Sequence, residues 1–262
     1  MLDPDLPFTA ARGRNAGAAA LQGVDFVQFI DGDCTLAEGW IDIAVEHMVS
    51  HPGTAVVCGR LRERHPERSV YNRLADREWS GSSGAIAACG GIAMMRLATF
   101  EAMNGFDAGL VAGEEPELCA RLRAAGWEIR RLDAEMALHD IAMTRLSQWW
   151  RRNRRGGFAA AQGAALHGSA DQRAQRMRAL IWGLGVPGAA LAGLVASPWS
   201  LALLLLLPAQ VVRLAAREGI GRRHTWEWAF FVTLGKTPEV IGVLEYYARQ
   251  LIGRDPRLIE YK

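Results

Sequence analysis

The pattern of apolar and polar positions changes character near residue 170. Before it, short apolar runs of both helical and strand type predict a mixed α/β domain. Ala10 to Leu21 is Ala-rich and predicts a helix, and the apolar run Val24 to Ile30 predicts the strand that follows. Trp40 to Ser50 predicts a second helix, because Trp40, Ile43, Ala44, His47 and Met48 fall near one face. Ala55 to Cys58 reads as a short strand and Leu97 to Met103 as a helix stopped by Asn104-Gly105. Glu115 to Ala125 reads as a further helix closed by Gly126, and Trp127 to Leu132 as a strand.

After residue 170 the chain becomes far more apolar. Leu180 to Val212 carries no charged residue. A single spanning helix needs roughly 20 apolar residues, so this run exceeds one pass. Pro198 divides it into two legs, each short for a core of about 30 Å. Arg173, Arg176 and Arg178 precede the run, and Arg213, Arg217, Arg222 and Arg223 follow it. Arg on both flanks predicts a membrane hairpin at about 180–212, spanning or re-entrant, with both ends cytoplasmic. A buried core hairpin is the plain alternative; the unbroken run Leu203 to Leu207 argues against it. Beyond the hairpin, Trp226 to Leu234 and Val240 to Ile252 look amphipathic. Interleaved aromatic and Arg residues there suit helices at a membrane interface or packing against the hairpin.

Composition narrows the classes. The 262 residues suffice for one domain plus an appendage. Half are hydrophobic and the net charge is +2, so neither a disordered chain nor a global nucleic-acid signature is present. The only lysines are Lys236 and Lys262, which removes most lysine-dependent chemistry. Cys34, Cys58, Cys89 and Cys119 form no C-x-x-C pair and read as thiols of a reducing compartment. Met1 to Pro7 has no basic region leading into an apolar core and does not read as a signal peptide.

Three polar constellations stand out. In Phe29-Ile30-Asp31-Gly32-Asp33, two carboxylates follow an apolar strand. Residues i and i+2 of a strand share a face, so Asp31 and Asp33 can point together from a strand end, where α/β sheets hold ligands. Such a pair suits a hard divalent cation with phosphates; a surface turn is the plain reading. Gly113-Glu114-Glu115-Pro116-Glu117 opens a helix, where carboxylates complement the dipole. A carboxylate there can also act as general base toward a hydroxyl. Leu138-His139-Asp140 offers a ring nitrogen for a metal; a structural histidine is the plain reading. The Arg-Trp cluster from Arg145 to Arg155 can hold phosphate through guanidinium forks or lie against anionic lipid.

Five segments in order carry a resemblance. They are Ala11-Arg-Gly-Arg14-Asn15-Ala-Gly17, Phe29-Ile-Asp31-Gly-Asp33, Cys89-Gly90-Gly91-Ile-Ala-Met-Met-Arg96, Gly105-Phe106-Asp107, and Gly113 through Gly126-Trp127. Over roughly residues 10 to 155 the chain resembles glycosyltransferase family 2. The resemblance implies an α/β fold class, a Rossmann-like GT-A domain over residues 1–170, followed by an all-α hydrophobic, membrane-associated region over 171–262. It implies metal-dependent sugar transfer from a nucleotide-sugar donor to a glycan or lipid-linked acceptor hydroxyl, with inversion, in cell-surface polysaccharide or glycolipid synthesis. The cofactor implied is a divalent cation, Mn2+ or Mg2+.

By resemblance, Asp31 and Asp33 match the D-x-D metal motif, and His139 a third ligand. Glu115 matches the general base, where Asp is commoner. Arg14, Asp31, Arg151 and Arg152 would serve the donor; Gly90, Gly91, Glu114, Gln148 and Trp149 the acceptor. Gln148 to Arg152 resembles the Q-x-x-R-W motif of polysaccharide-making members, with Arg152 where Trp is expected. Members begin with two or three βα units before the Arg-Asn helix, so the resemblance also implies a domain lacking the N-terminal part of its nucleotide-binding half. Expected partners are donor, acceptor and membrane lipids, without nucleic acid, and the expected place is the cytoplasmic face of the inner membrane.

Two other readings remain at this point. Asp31-Gly-Asp33-Cys-Thr35 fits the D-x-D-x-T signature of haloacid-dehalogenase-like phosphatases, but no Lys occurs between Asp33 and Lys236. A catalytically incomplete, membrane-associated accessory protein is the non-enzyme reading.

Overall fold

The computed structural model describes residues 9–110, 113–166 and 170–253. Two compact units divide at Thr144 and Arg145.

The first unit is α/β. Helix α1 (Ala10–Ala19) starts at Thr9, whose side chain accepts from the Arg12 amide; such N-caps satisfy an otherwise orphaned donor. Strand β1 (Phe26–Phe29) and the short β2 (Cys34–Leu36) flank the Asp31-Gly-Asp33 segment. Helix α2 (Trp40–Ser50) is followed by β3 (Thr54–Glu63), helix α3 (Val70–Trp79), the two-residue β4 (Gly84–Ala85) and β5 (Ala93–Arg96). Helices α4 (Leu97–Ala102) and α5 (Glu114–Ala124) precede β6 (Glu128–His139).

The sheet runs β1-β5-β3-β6-β2, with β4 also on β6. Among the described residues only β3 and β6 pair in parallel; the other ladders are antiparallel. The α/β class expected from the sequence is observed, as a mixed sheet. The first six residues of β3 are all buried, as a strand covered on both faces must be. Trp40, Val56, Val57, Met95, Leu118, Leu122, Ile129 and Met136 form the heart of its core. Trp40 keeps its polar end satisfied by donating from Nε1 to Gln28 Oε1 at 2.8 Å.

Several strands reach beyond their sequence signal. Ala55 to Cys58 is the apolar half of β3, whose second half carries Arg60, Arg62 and Glu63. Trp127 to Leu132 is likewise the start of the twelve-residue β6. The β3–β6 register slips between Cys58 and Arg60 and between Arg60 and Leu61. Such irregularities bend a sheet and carry its far end toward His139.

The second unit is helical. Helices α6 (Leu146–Leu166) and α11 (Lys236–Leu251) pack at close range. A Cβ on Gly157 would overlap the Glu239 carbonyl, and one on Gly242 the Arg154 carbonyl. Two helices, Ala170–Val195 and Pro198–Glu218, are long and apolar enough to cross a membrane, with mean hydropathies of 1.5 and 1.7. Only 11% of each apolar window is buried within the unit. The first begins as α7 (Ala170–Ala179), widens to π over Leu180–Gly185 and resumes as α8 (Val186–Ala192). Pro187 explains the widening: it lacks an N–H and its ring crowds the preceding turn. Pro198 starts the second helix, where the proline's missing donor is harmless. That helix closes as α9 (Leu206–Glu218), and α10 (Arg223–Leu234) leads into α11.

Candidate functional site

The sequence suggested a strand running to Ile30 with Asp31 and Asp33 at its end. In the structure β1 stops at Phe29, and the chain turns at once into β2. The Cys34 amide donates to the Asp31 carbonyl at 3.1 Å, closing a four-residue turn. The two carboxylates therefore take different partners. Asp31 Oδ1 accepts from Arg14 Nη2 at 2.6 Å. Asp33 Oδ1 lies 3.5 Å from His139 Nε2.

Arg14 joins three elements. It leaves α1, binds Asp31 through Nη2, and gives Nη1 to Glu114 Oε1 at 2.6 Å. Its side chain is 14% exposed and that of Glu114 12%. Burial alone would lower its pKa, but the two carboxylates outweigh burial and hold the guanidinium charged. Asn15, the next residue, fixes the Gly105-Phe106 turn: its Nδ2 donates to the Phe106 carbonyl at 2.8 Å, and its Oδ1 accepts from the Phe106 amide at 2.9 Å.

Glu115 faces inward. It is 5% exposed, and its Oε1 accepts from the Cys89 amide at 2.5 Å. The Cys89 and Cys119 thiols donate to the same oxygen at 2.9 and 3.0 Å. Burial pushes the Glu115 pKa up, and these donors offset part of the rise. Cys89 and Cys119 were not among the residues expected to matter. Cys119 carried a usable signal, since i and i+4 on α5 share a face with Glu115.

The Cys89-Gly90-Gly91 turn links these parts. At one end it binds Glu115 through the Cys89 amide. At the other, a Cβ on Gly91 would stand 2.8 Å from Arg14 Nη2 and 3.3 Å from Asp31 Oδ2. Gly90 adopts φ +83°, a conformation in which glycine alone is unstrained. Arg14, Asp31, Gly90, Gly91, Glu114 and Glu115 thus converge on one turn.

Asp33, Cys34 and His139 place their ligand atoms within 4.8 Å of one another. His139 Nδ1 is buried without a hydrogen-bond partner among the described residues, and the Trp79 ring lies 4.6 Å from the imidazole. Burial and the Asp33 charge push the Cys34 thiol up to about 12. The carboxylate and imidazole are therefore the natural donors of the group, and that donor set fits a Mn2+-class cation. Asp31 is not part of this cluster.

Gln148, Trp149, Arg151 and Arg152 all lie on α6 in the second unit. Gln148 Oε1 accepts from the Arg145 amide at 2.8 Å and helps start the helix. Trp149 is buried, edge-on to Phe231 with ring centroids 5.2 Å apart. Arg151 is exposed.

Comparisons with known proteins find glycosyltransferases similar to this α/β part of the chain. Residues 7–102 match the Glycosyl transferase family 2 model, and residues 74–146 match that of the N-terminal domain of galactosyltransferase. Over residues 7–102 the α/β part of the chain is thus similar to glycosyltransferase family 2. The pre-mycofactocin glycosyltransferases of two Mycobacterium tuberculosis strains, CDC 1551 / Oshkosh and ATCC 25618 / H37Rv, are each 30% identical over 168 residues. The match covers 60% of this chain and only 35% of theirs. The crystal structure of S. aureus TarS 1-349 in complex with UDP aligns at a TM-score of 0.42 and 10% identity, over 97% of this chain and 74% of that one.

Proposed function

We propose that the first unit carries a metal-dependent sugar-transfer centre, using a nucleotide-sugar donor and an acceptor hydroxyl with inversion. The single observation that supports this reading most is the Cys89-Gly90-Gly91 turn, which touches Glu115 on one side and the Arg14–Asp31 pair on the other. In this reading the donor-side and acceptor-side residues meet at one place.

In this reading Asp33 and His139 hold the divalent cation, which when bound offsets charge on the leaving nucleoside diphosphate. Arg14, charged between its two carboxylates, sets the position of Asp31 beside the donor. Glu115 takes the proton from the acceptor hydroxyl as the new bond forms. Its raised pKa makes it a stronger base than an ordinary glutamate once ionised. The missing side chain of Gly91 leaves room for the Arg14 guanidinium, and the open space at Gly90 leaves room for the acceptor to approach the turn.

The two apolar helices fit a hairpin that holds the chain at a membrane, with Arg residues at both flanks on the cytoplasmic side. A lipid-linked or growing glycan acceptor would suit that position. The deciding experiment is calorimetry of nucleoside diphosphates with the intact protein in Mn2+. Binding that requires Mn2+ and is lost in Asp33→Ala supports the reading; metal-independent binding, or none, refutes it.

A further inference from the structure

Cys89, Glu115 and Cys119 form a second group of ligand atoms, and the sugar-transfer reading gives its thiols no chemical role. The three ligand atoms lie within 4.8 Å of one another, and all three residues are buried. Glu115 Oε1 is 2.9 Å from Cys89 Sγ and 3.0 Å from Cys119 Sγ, and the two sulfurs are 3.8 Å apart. Glu115 and Cys119 stand one turn apart on α5, while Cys89 enters from the loop before β5. The donors thus come from two segments of the chain, a helix and a loop.

Two sulfurs and one carboxylate oxygen differ in kind from the oxygen-rich sets that hold Mg2+ or Mn2+. They suit borderline or soft d10 cations. The spacing can be tested against that chemistry. With metal–sulfur bonds of about 2.3 Å and tetrahedral angles, two thiolates sit ~3.8 Å apart. That is the separation of Cys89 and Cys119. A sulfur–oxygen edge in the same geometry is ~3.5 Å, so the carboxylate must retreat by about half an ångström from its hydrogen-bonded position. The Gly90 carbonyl oxygen, 3.4 Å from Cys89 Sγ, stands beside the group as a further oxygen donor.

We propose that Cys89, Glu115 and Cys119 form a thiophilic metal site that takes a cation of the Zn2+ or Cd2+ class. Binding replaces the two S–H···O hydrogen bonds with two metal–sulfur bonds and releases both thiol protons to solvent. The site stands on this geometry alone. Its consequence, that the bound cation removes Glu115 as a base and arrests transfer, rests on the function proposed above.

The test is a Co2+ titration of the intact, reduced protein carrying Cys34→Ser, since Cys34 belongs to the group at Asp33 and His139. The site predicts one equivalent of Co2+ with a thiolate-to-cobalt charge-transfer band of two-sulfur intensity, displaced by Zn2+. Cys89→Ala and Cys119→Ala each remove that two-sulfur band, and Glu115→Gln weakens binding at least tenfold. No band, a band unchanged by Cys119→Ala, or one removed by Cys58→Ala alone overturns the proposal. Should the alanine variants fail to fold by circular dichroism, alkylation of the unsubstituted protein in mild urea replaces them. Cd2+ then slows labelling of Cys89 and Cys119 at least tenfold and leaves the Cys58 rate unchanged; equal rates with and without Cd2+ overturn it. Neither readout involves sugar transfer, so a failure of the proposed activity leaves this result distinct.

Discussion

Arg14 donates to Asp31 at 2.6 Å while its other terminal nitrogen binds Glu114 at the same distance. One guanidinium therefore ties α1 to the Asp31-Gly-Asp33 turn and to the first residue of α5. Replacing it by Ala leaves the largely buried Glu114 facing Asp31 without a cation. Removing one member of a buried ion pair is costly, though the partial exposure of Asp31 screens part of the loss. Arg14→Ala should lower stability by about 1–3 kcal/mol, read from urea midpoints. Arg14→Lys keeps the charge but cannot serve both carboxylates with the same planar fork. It should recover less than half of that loss.

Glu115 gives a prediction with a pH sign. Its pKa is raised above 4.5, first through burial. A base works only when ionised, so activity should rise with pH through that elevated value and fall below it. The acidic limb of kcat/KM should accordingly lie above the ordinary glutamate range. Glu115→Gln preserves shape and should reduce kcat by roughly 10²–10⁴ and abolish the acidic limb. Cys119→Ala removes one donor that lowers the Glu115 pKa, so it should move the limb to higher pH. An unchanged limb in both variants would assign the titration to another group.

The sequence named the residues that gather at this candidate site more fully than it revealed the sheet around them. Trp40 to Ser50 is the helix its periodicity implied, because its buried face is apolar. Helix α3 passed unread: Val70 to Trp79 carries Arg73, Asp76, Arg77 and Glu78, and its apolar face is short. Strand β5 hides behind Gly90-Gly91, and the polar halves of β3 and β6 lack alternation strong enough to extend them. At the site, the order of motifs singled out Arg14, Asp31 and Glu115. Partnership was not legible, because it depends on distances across 17 to 100 residues of chain. Nothing local in Asp31-Gly-Asp33 says that one carboxylate meets Arg14 and the other His139.

Gly90 and Gly91 are adjacent but should respond differently to alanine. Gly90 has φ +83° and open space where a Cβ would stand. Gly90→Ala should therefore cost about 1–2 kcal/mol of stability through backbone strain with little change in nucleoside diphosphate affinity. A Cβ on Gly91 would crowd Arg14 Nη2 at 2.8 Å, and Arg14 is pinned by two carboxylates. Gly91→Ala should displace the guanidinium and weaken nucleoside diphosphate binding at least tenfold, a difference visible by calorimetry on the two variants side by side.

Asp33 and His139 should act together on Mn2+. Their donor atoms are 3.5 Å apart, and the other imidazole nitrogen, Nδ1, is buried without a hydrogen-bond partner among the described residues. His139→Ala should lower Mn2+ affinity at least tenfold, and Asp33→Ala further. Asp31→Asn, whose native carboxylate binds Arg14, should have the smaller effect on metal affinity. Electron paramagnetic resonance of free Mn2+ during titration gives the three constants without any substrate. A larger loss from Asp31→Asn than from His139→Ala would move the metal to the first carboxylate.

The apolar hairpin yields a prediction that spares the fold. Leu191 is 62% exposed and Leu205 68% exposed, so neither side chain supports the packing of the helical unit. Replacing either by Asp should leave helicity and thermal unfolding in detergent unchanged. In a bilayer the same change places a charge among hydrocarbon, which costs about 2.5–3.5 kcal/mol near the middle of a helix. Membrane partitioning should fall roughly a hundredfold per substitution. Flotation with liposomes rich in anionic lipid measures it directly. Flotation that survives both substitutions would mean that the Arg-rich flanks alone hold the protein at the lipid surface, and high salt would then release it.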